Sequence, residues 1–179
     1  SATITMVDNE SAPTVTLATS ATSATEDGSD LTLTGTLSVT TYADVTITLT
    51  GTGTATDDTD YAMGNITISA GSTTGTTAFN PTPDALYDAA SAETATIAVT
   101  NVSGGSASEN TTPQQVSITL ADNDSAPTVT LTSSASTVYD SGSDLQIMAA
   151  MNIATYENVT VEIDGTGGSA TEGTDFAEV

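Results

Sequence analysis

Apolar and polar residues alternate with a period of two along most of this 179-residue chain, the signature of strands with one face buried and one in water. Val15 and Leu17 share a face of a first strand. Leu31, Leu33, Leu37 and Val39 share one in a second, with Gly35 keeping the phase. Val45, Ile47 and Leu49 mark a third, Ile66 and Ile68 a fourth, and Thr77 and Phe79 a weaker fifth. Ala95, Ile97 and Val99 mark a sixth, and Val116, Ile118 and Leu120 a seventh. Thr and Ser take most outward positions, where a β-branched side chain suits a solvated strand. The stretches GTGT, SAGSTTG and SGGSASEN supply turns between strands. No segment has a helical period of useful length.

The pattern repeats. SAPTVTL occurs at Ser11 and again at Ser125, 114 residues later. At the same offset ITMVDNE matches ITLADND, DGSDLTL matches SGSDLQI, and TYADVTITLTGTG matches TYENVTVEIDGTG. After one inserted residue, ATDDTDY (from Ala55) matches ATEGTDF (from Ala170). Self-similarity at this spacing predicts a tandem array: residues 1–10 as the final strand of one repeat, 11–124 as a complete repeat, and 125–179 as the first half of another, holding its strands A to C. Seven short strands per repeat predict an all-β fold, an immunoglobulin-like seven-stranded antiparallel β-sandwich in tandem. The core is thin for its length, because small aliphatics must offset the ordering of about a hundred residues. A further stabiliser is expected.

Composition supplies a candidate. There are 23 Asp and Glu, no Lys, Arg, His or Cys, and a formal charge of −23. Triads that need an imidazole base, Schiff bases and basic phosphate clamps cannot be built from this chain, so it is not expected to be an enzyme. Nucleic acid and anionic membrane surfaces are disfavoured partners, since both are met by basic side chains. No apolar run is long enough to span a bilayer.

The acids are clustered. With strands lettered A to G in chain order, Glu26 and Asp27 fall between A and B; Asp57, Asp58 and Asp60 between C and D; and Asp84, Asp88 and Glu93 between E and F. Asp122, Asn123 and Asp124 end strand G. In a sandwich of this topology these four places emerge at one end. A set of oxygen ligands suits Ca²⁺ and serves Zn²⁺ poorly. Asp58-x-Asp60 lacks the Gly and distal Glu of a helix-flanked calcium loop, and GTGTATDD opens no helix, so it is a turn and not a phosphate cradle.

The Glu of ATEDGSD, the DDTDY after the third strand, GNITISAGSTTGT, the acid-rich DALYDAASAETATIAVTNVSGG and the closing ITLADND together resemble the Calx-β domain. That family occurs in tandem in sodium–calcium exchangers and in secreted or surface-attached bacterial proteins. The resemblance implies that Glu26, Asp57, Asp58, Asp88, Glu93, Asp122 and Asp124 are calcium ligands, joined by the neutral oxygen of Asn123. It casts Asp60 as a turn residue and Tyr61 as a core aromatic. In the following repeat Asp140 replaces Glu26, and Glu172-Gly173 replaces Asp57-Asp58.

The expected function is structural: a calcium-rigidified repeat of an extracellular or cell-surface stalk, adhesin or filament. Its partners would be neighbouring repeats or identical subunits. A ligand-binding adhesive module would need an exposed aromatic or polar pocket that the sequence does not display. A calcium-sensing domain of a larger protein is the third reading.

Overall fold

The computed structural model describes residues 1–5, 9–87, 92–111, 114–139, 142–165 and 168–177. The chain divides into two compact units, one of Ser1–Asp84 with Ala90–Asn123 and the other of Ala85–Ala89 with Asp124–Val179.

The first unit is a sandwich of two five-stranded sheets. One sheet contains β1 (Thr14–Thr19), β3 (Leu31–Leu37), β5 (Tyr61–Met63), β7 (Thr74–Pro81) and β10 (Ser108–Glu109) in the order β10-β1-β3-β7-β5. The other contains β2 (Ser23–Thr25), β4 (Val45–Gly53), β6 (Ile66–Ile68), β9 (Glu93–Ser103) and β11 (Gln115–Ala121) in the order β2-β11-β9-β4-β6. The seven strands expected from alternation are β1, β3, β4, β6, β7, β9 and β11, and every ladder among them is antiparallel. Two parallel pairs, β1 with β10 and β2 with β11, make both sheets mixed.

Strand A is divided between the sheets. Its first part, β1, pairs with β3; the chain then turns at Ser20, and β2 pairs with β11 in the opposite sheet. Two reciprocal bonds hold the crossing: the Ser20 N–H donates to the Thr32 carbonyl and the Thr32 N–H to Ser20 Oγ, both at 2.9 Å. The split strand adds β2 at the edge of one sheet and places β1 between β10 and β3 in the other.

The core lies between the sheets and is built from the inward residues of the long strands, with Val102 and Val116 only partly buried at its margin. Val45, Ile47, Ile66, Ile68, Ile97 and Ile118 are fully enclosed, and Leu120 very nearly so. Gly35 also faces inward. A Cβ there would collide with the Cδ1 of Ile47, so the missing side chain makes room for an isoleucine of the facing sheet. Val39, expected to face the core with Leu37, is 37% exposed, because β3 ends at Leu37 and the chain bends at Ser38.

The second unit repeats the start of the first bond for bond. Strand β12 (Val129–Ser133) pairs with β13 (Ile147–Met151) in the register Val129↔Met151, as Val15 pairs with Leu37 in the first unit. The Thr128 N–H donates to Asn152 Oδ1 at 2.7 Å where the Thr14 N–H donates to Ser38 Oγ at 2.9 Å. The Gln146 N–H donates to Ser134 Oγ at 3.0 Å, the counterpart of the Thr32–Ser20 bond. A short parallel pair joins β14 (Ala154–Thr155) to β8 (Leu86–Tyr87). Val129, Leu131, Ile147 and Met151 are exposed, unlike their buried counterparts Val15, Leu17, Leu33 and Leu37. Residues 1–5 are likewise exposed and form no strand. Met6, Val7 and Asp8 of that expected strand lie outside the described residues, and Asn9 and Glu10 form no strand.

Candidate metal centre

Strand register brings the acidic loops to one end of the second sheet. Thr25 stands beside Ala121, and the Glu26 N–H donates to the Ala121 carbonyl at 3.2 Å, which fixes Glu26 next to Asp122 along the backbone. Across β11, Leu120 is in register with Glu93, the first residue of β9. Across β9, Gly53 is opposite Ala95; the Ala55 N–H donates to the Thr94 carbonyl at 3.2 Å, and the Thr94 N–H to Thr54 Oγ1 at 2.8 Å. The starts of the A–B and C–D loops, the end of the E–F loop and the end of β11 therefore share one sheet end.

Asp57 and Asp58 follow Ala55 in a turn that Asp60 organises. The Asp60 Oδ2 accepts the Thr56 N–H at 2.6 Å, and the Asp58 N–H donates to the Tyr61 carbonyl at 2.8 Å and to Asp57 Oδ1 at 3.1 Å. Asp58 adopts a φ of 65°, left-handed backbone in which Asp is better tolerated than most residues. The same turn recurs in the second unit: Asp175 Oδ2 accepts the Thr171 N–H at 2.8 Å, the Gly173 N–H donates to the Phe176 carbonyl at 2.7 Å, and Gly173 has a φ of 80°. Asp60 is thus a turn-forming residue. Tyr61, which follows it, is fully buried and stacked on Phe79, with ring centroids 4.5 Å apart and planes at 22°. Burial, and then the nearby Asp57 and Asp60 carboxylates, push the Tyr61 phenol up to about 12.

The remaining expected ligands are placed as follows. Glu26, Glu93, Asp122 and Asp124 are half-buried, whereas Asp57, Asp58 and Asn123 are exposed. Asp88, like Asp140 of the next repeat, lies outside the described residues. In the A–B loop Asp27 Oδ1 accepts the Thr25 hydroxyl at 3.0 Å. Among the described residues no three carboxylates come close enough to share an ion. Two bare carboxylates 5 Å apart repel by roughly 3 kcal/mol at an effective dielectric of 20, so a cation would favour their gathering. The donor set is all oxygen, so its chemistry fits calcium.

No sequence-family model matches the chain, and no curated protein matches it. Among solved structures it is similar to the apo form of a Calx CBD1 domain, with a TM-score of 0.50 and 15% identity over 64% of this chain and all of that one. A two-domain protein of unknown function from Bacteroides fragilis NCTC 9343 gives a TM-score of 0.49 and 10% identity, over 68% of this chain and 55% of the other. CBD12 of CALX1.2 gives 0.49 and 12%, over 80% of this chain and 71% of the other. The match to the whole of CBD1 concerns the fold, and with the two mixed sheets it shows that this chain carries the Calx-β sandwich.

Proposed function

We propose that this chain is part of a calcium-rigidified tandem β-sandwich array in an extracellular or cell-surface stalk, adhesin or filament. The observation that carries the reading is the register at one sheet end, where Glu26, Glu93 and Asp122 come from three separate segments and Asp57 and Asp58 follow close behind. Each can supply carboxylate oxygen, with Asp88, Asn123 and Asp124 as further donors. Calcium held there would join the A–B, C–D and E–F loops to the end of β11, from which the chain runs through Ser125-Ala126-Pro127 into the next repeat. Pro127 restricts the backbone at that step. The ion would thereby stiffen the passage between repeats and supply the stabiliser that the thin core calls for.

The all-acidic composition supports a place outside the cell, where divalent cations are abundant. The proposed partners are neighbouring repeats of the same array, or identical subunits.

The test is thermal unfolding of the chain in calcium and in chelator. One site at a free ion concentration a hundred times its dissociation constant adds about 2.7 kcal/mol, so chelation should lower the melting temperature by several degrees. An unchanged melting temperature would refute the reading.

A further inference from the structure

At the end of the first unit away from the acidic loops, three turns interlock around Thr41. Thr41 is the one buried polar residue among the described residues apart from the aromatic Tyr61. Its Oγ1 donates to the Ala43 carbonyl at 2.7 Å, and its carbonyl accepts the Gly71 N–H at 2.8 Å. A Cβ on Gly105 would lie 2.7 Å from Thr41 Cγ2, so that glycine lets the third turn close against it. Asp44 Oδ1 accepts the Ala70 N–H at 2.8 Å and ties the same turns together.

The bond from Thr41 to Ala43 arches over residue 42 and turns it outward. That residue is Tyr42, the most exposed large side chain described, at 108% of its reference area. A ring wholly in water adds nothing to the stability of its own fold. Single exposed apolar residues are commonplace, but this one recurs. Thr155 Oγ1 donates to the Glu157 carbonyl at 2.6 Å in the matching turn of the second unit, and Tyr156 there is 58% exposed. Two of the chain's five tyrosines thus occupy one turn in successive repeats.

The surrounding chemistry selects a partner. Each tyrosine has an acid close behind it, Asp44 after Tyr42 and Glu157 after Tyr156, and the chain has no basic side chain and a charge of −23. Anionic partners are repelled and cationic ones drawn in. An exposed phenol ring attracts a cation to its face. A guanidinium suits the pair better than an ammonium, since its plane stacks on the ring while its N–H groups meet a carboxylate. We propose that the Tyr42 turn, and its repeat at Tyr156, dock arginine side chains of a basic protein partner. One such point per repeat would let an array bind that partner multivalently, and around Tyr42 the interlocked turns fix the backbone that carries the ring.

The test is titration of the chain with an arginine hexapeptide, in chelator and at high salt. Chelator separates this proposal from the calcium reading, and salt screens the general negative field. Tyr42→Ala with Tyr156→Ala should weaken binding by about two- to fivefold per tyrosine. Tyr42→Phe with Tyr156→Phe should bind as the parent does, since the ring face is kept. Unchanged affinity in the alanine variant would overturn the proposal, as would an equal loss in the phenylalanine variant. Tyrosine-dependent capture of a neutral glycan, with no tyrosine dependence towards the peptide, would overturn it in favour of a sugar ligand.

Discussion

The hydroxyl of Tyr61 occupies the space where a side chain of residue 51 would begin: a Cβ added to Gly51 would overlap Tyr61 Oη. Tyr61 belongs to one sheet and Gly51 to the other, so the pair spans the sandwich. The hydroxyl is buried and has no hydrogen-bond partner among the described residues. Gly51→Ala should therefore destabilise the fold by about 1 to 3 kcal/mol through overpacking. Tyr61→Phe should be neutral or stabilising, because it removes an unpaired buried polar group. The double variant should recover much of the alanine loss, and urea unfolding of all four proteins measures the coupling.

Tyr61 also sets an alkaline limit. Its folded-state value of about 12 exceeds the ordinary 10.0 of a tyrosine. The neutral phenol is favoured in the fold, so its contribution is fully present below pH 10 and is lost as pH rises from 10 towards 12. Stability measured across that window should fall more steeply in the parent than in Tyr61→Phe. Parallel profiles would show that the buried phenol is not responsible.

The Asp60 turn separates structural acids from candidate ligands. Asp60→Ala removes the acceptor of the Thr56 N–H and should cost roughly 1.5 to 3 kcal/mol, as for a charged hydrogen bond. Asp60→Asn should restore part of that loss. Asp58→Gly should change calcium-free stability by no more than about 1 kcal/mol, since glycine relieves the left-handed backbone while losing more entropy on folding. Gly173 already occupies that conformation in the next repeat. Thermal melts in chelator check both expectations.

Asp44 and Asp122 should differ in kind. Asp44, at the far end of β4 from the acidic loops, bonds the Ala70 N–H, so Asp44→Ala should lower the melting temperature equally in calcium and in chelator. Asp122→Ala should reduce chiefly the increment that calcium adds. Paired melts of the two variants decide the matter, and equal loss of the increment would refute the assigned polarity of the sandwich.

Much of this architecture is local and therefore legible along the chain. A strand with one wet and one dry face must alternate, so Val15, Leu33, Ile47, Ile97 and Ile118 marked their strands before any pairing was known, and all are buried. The 114-residue repeat was equally visible, and the hydrogen bonds of Ser20 and Ser134 reproduce it. The grouping of acids into loops could be read as well. Their approach to one sheet end depends on pairings between residues as distant as Thr25 and Ala121, which alternation does not encode.

Tertiary structure alone decided the rest. The same alternation serves β1 and β2, so only the bonds at Ser20 reveal that strand A changes sheets. That Gly35 and Gly51 leave room for the side chains of Ile47 and Tyr61 shows only across the sandwich. The resemblance casts Tyr61 as a core aromatic, and it is fully buried, but nothing along the chain marks Tyr42 as a ring held wholly in water. The period of a strand specifies which side of the chain is apolar, but what covers that side is settled by segments a hundred residues away.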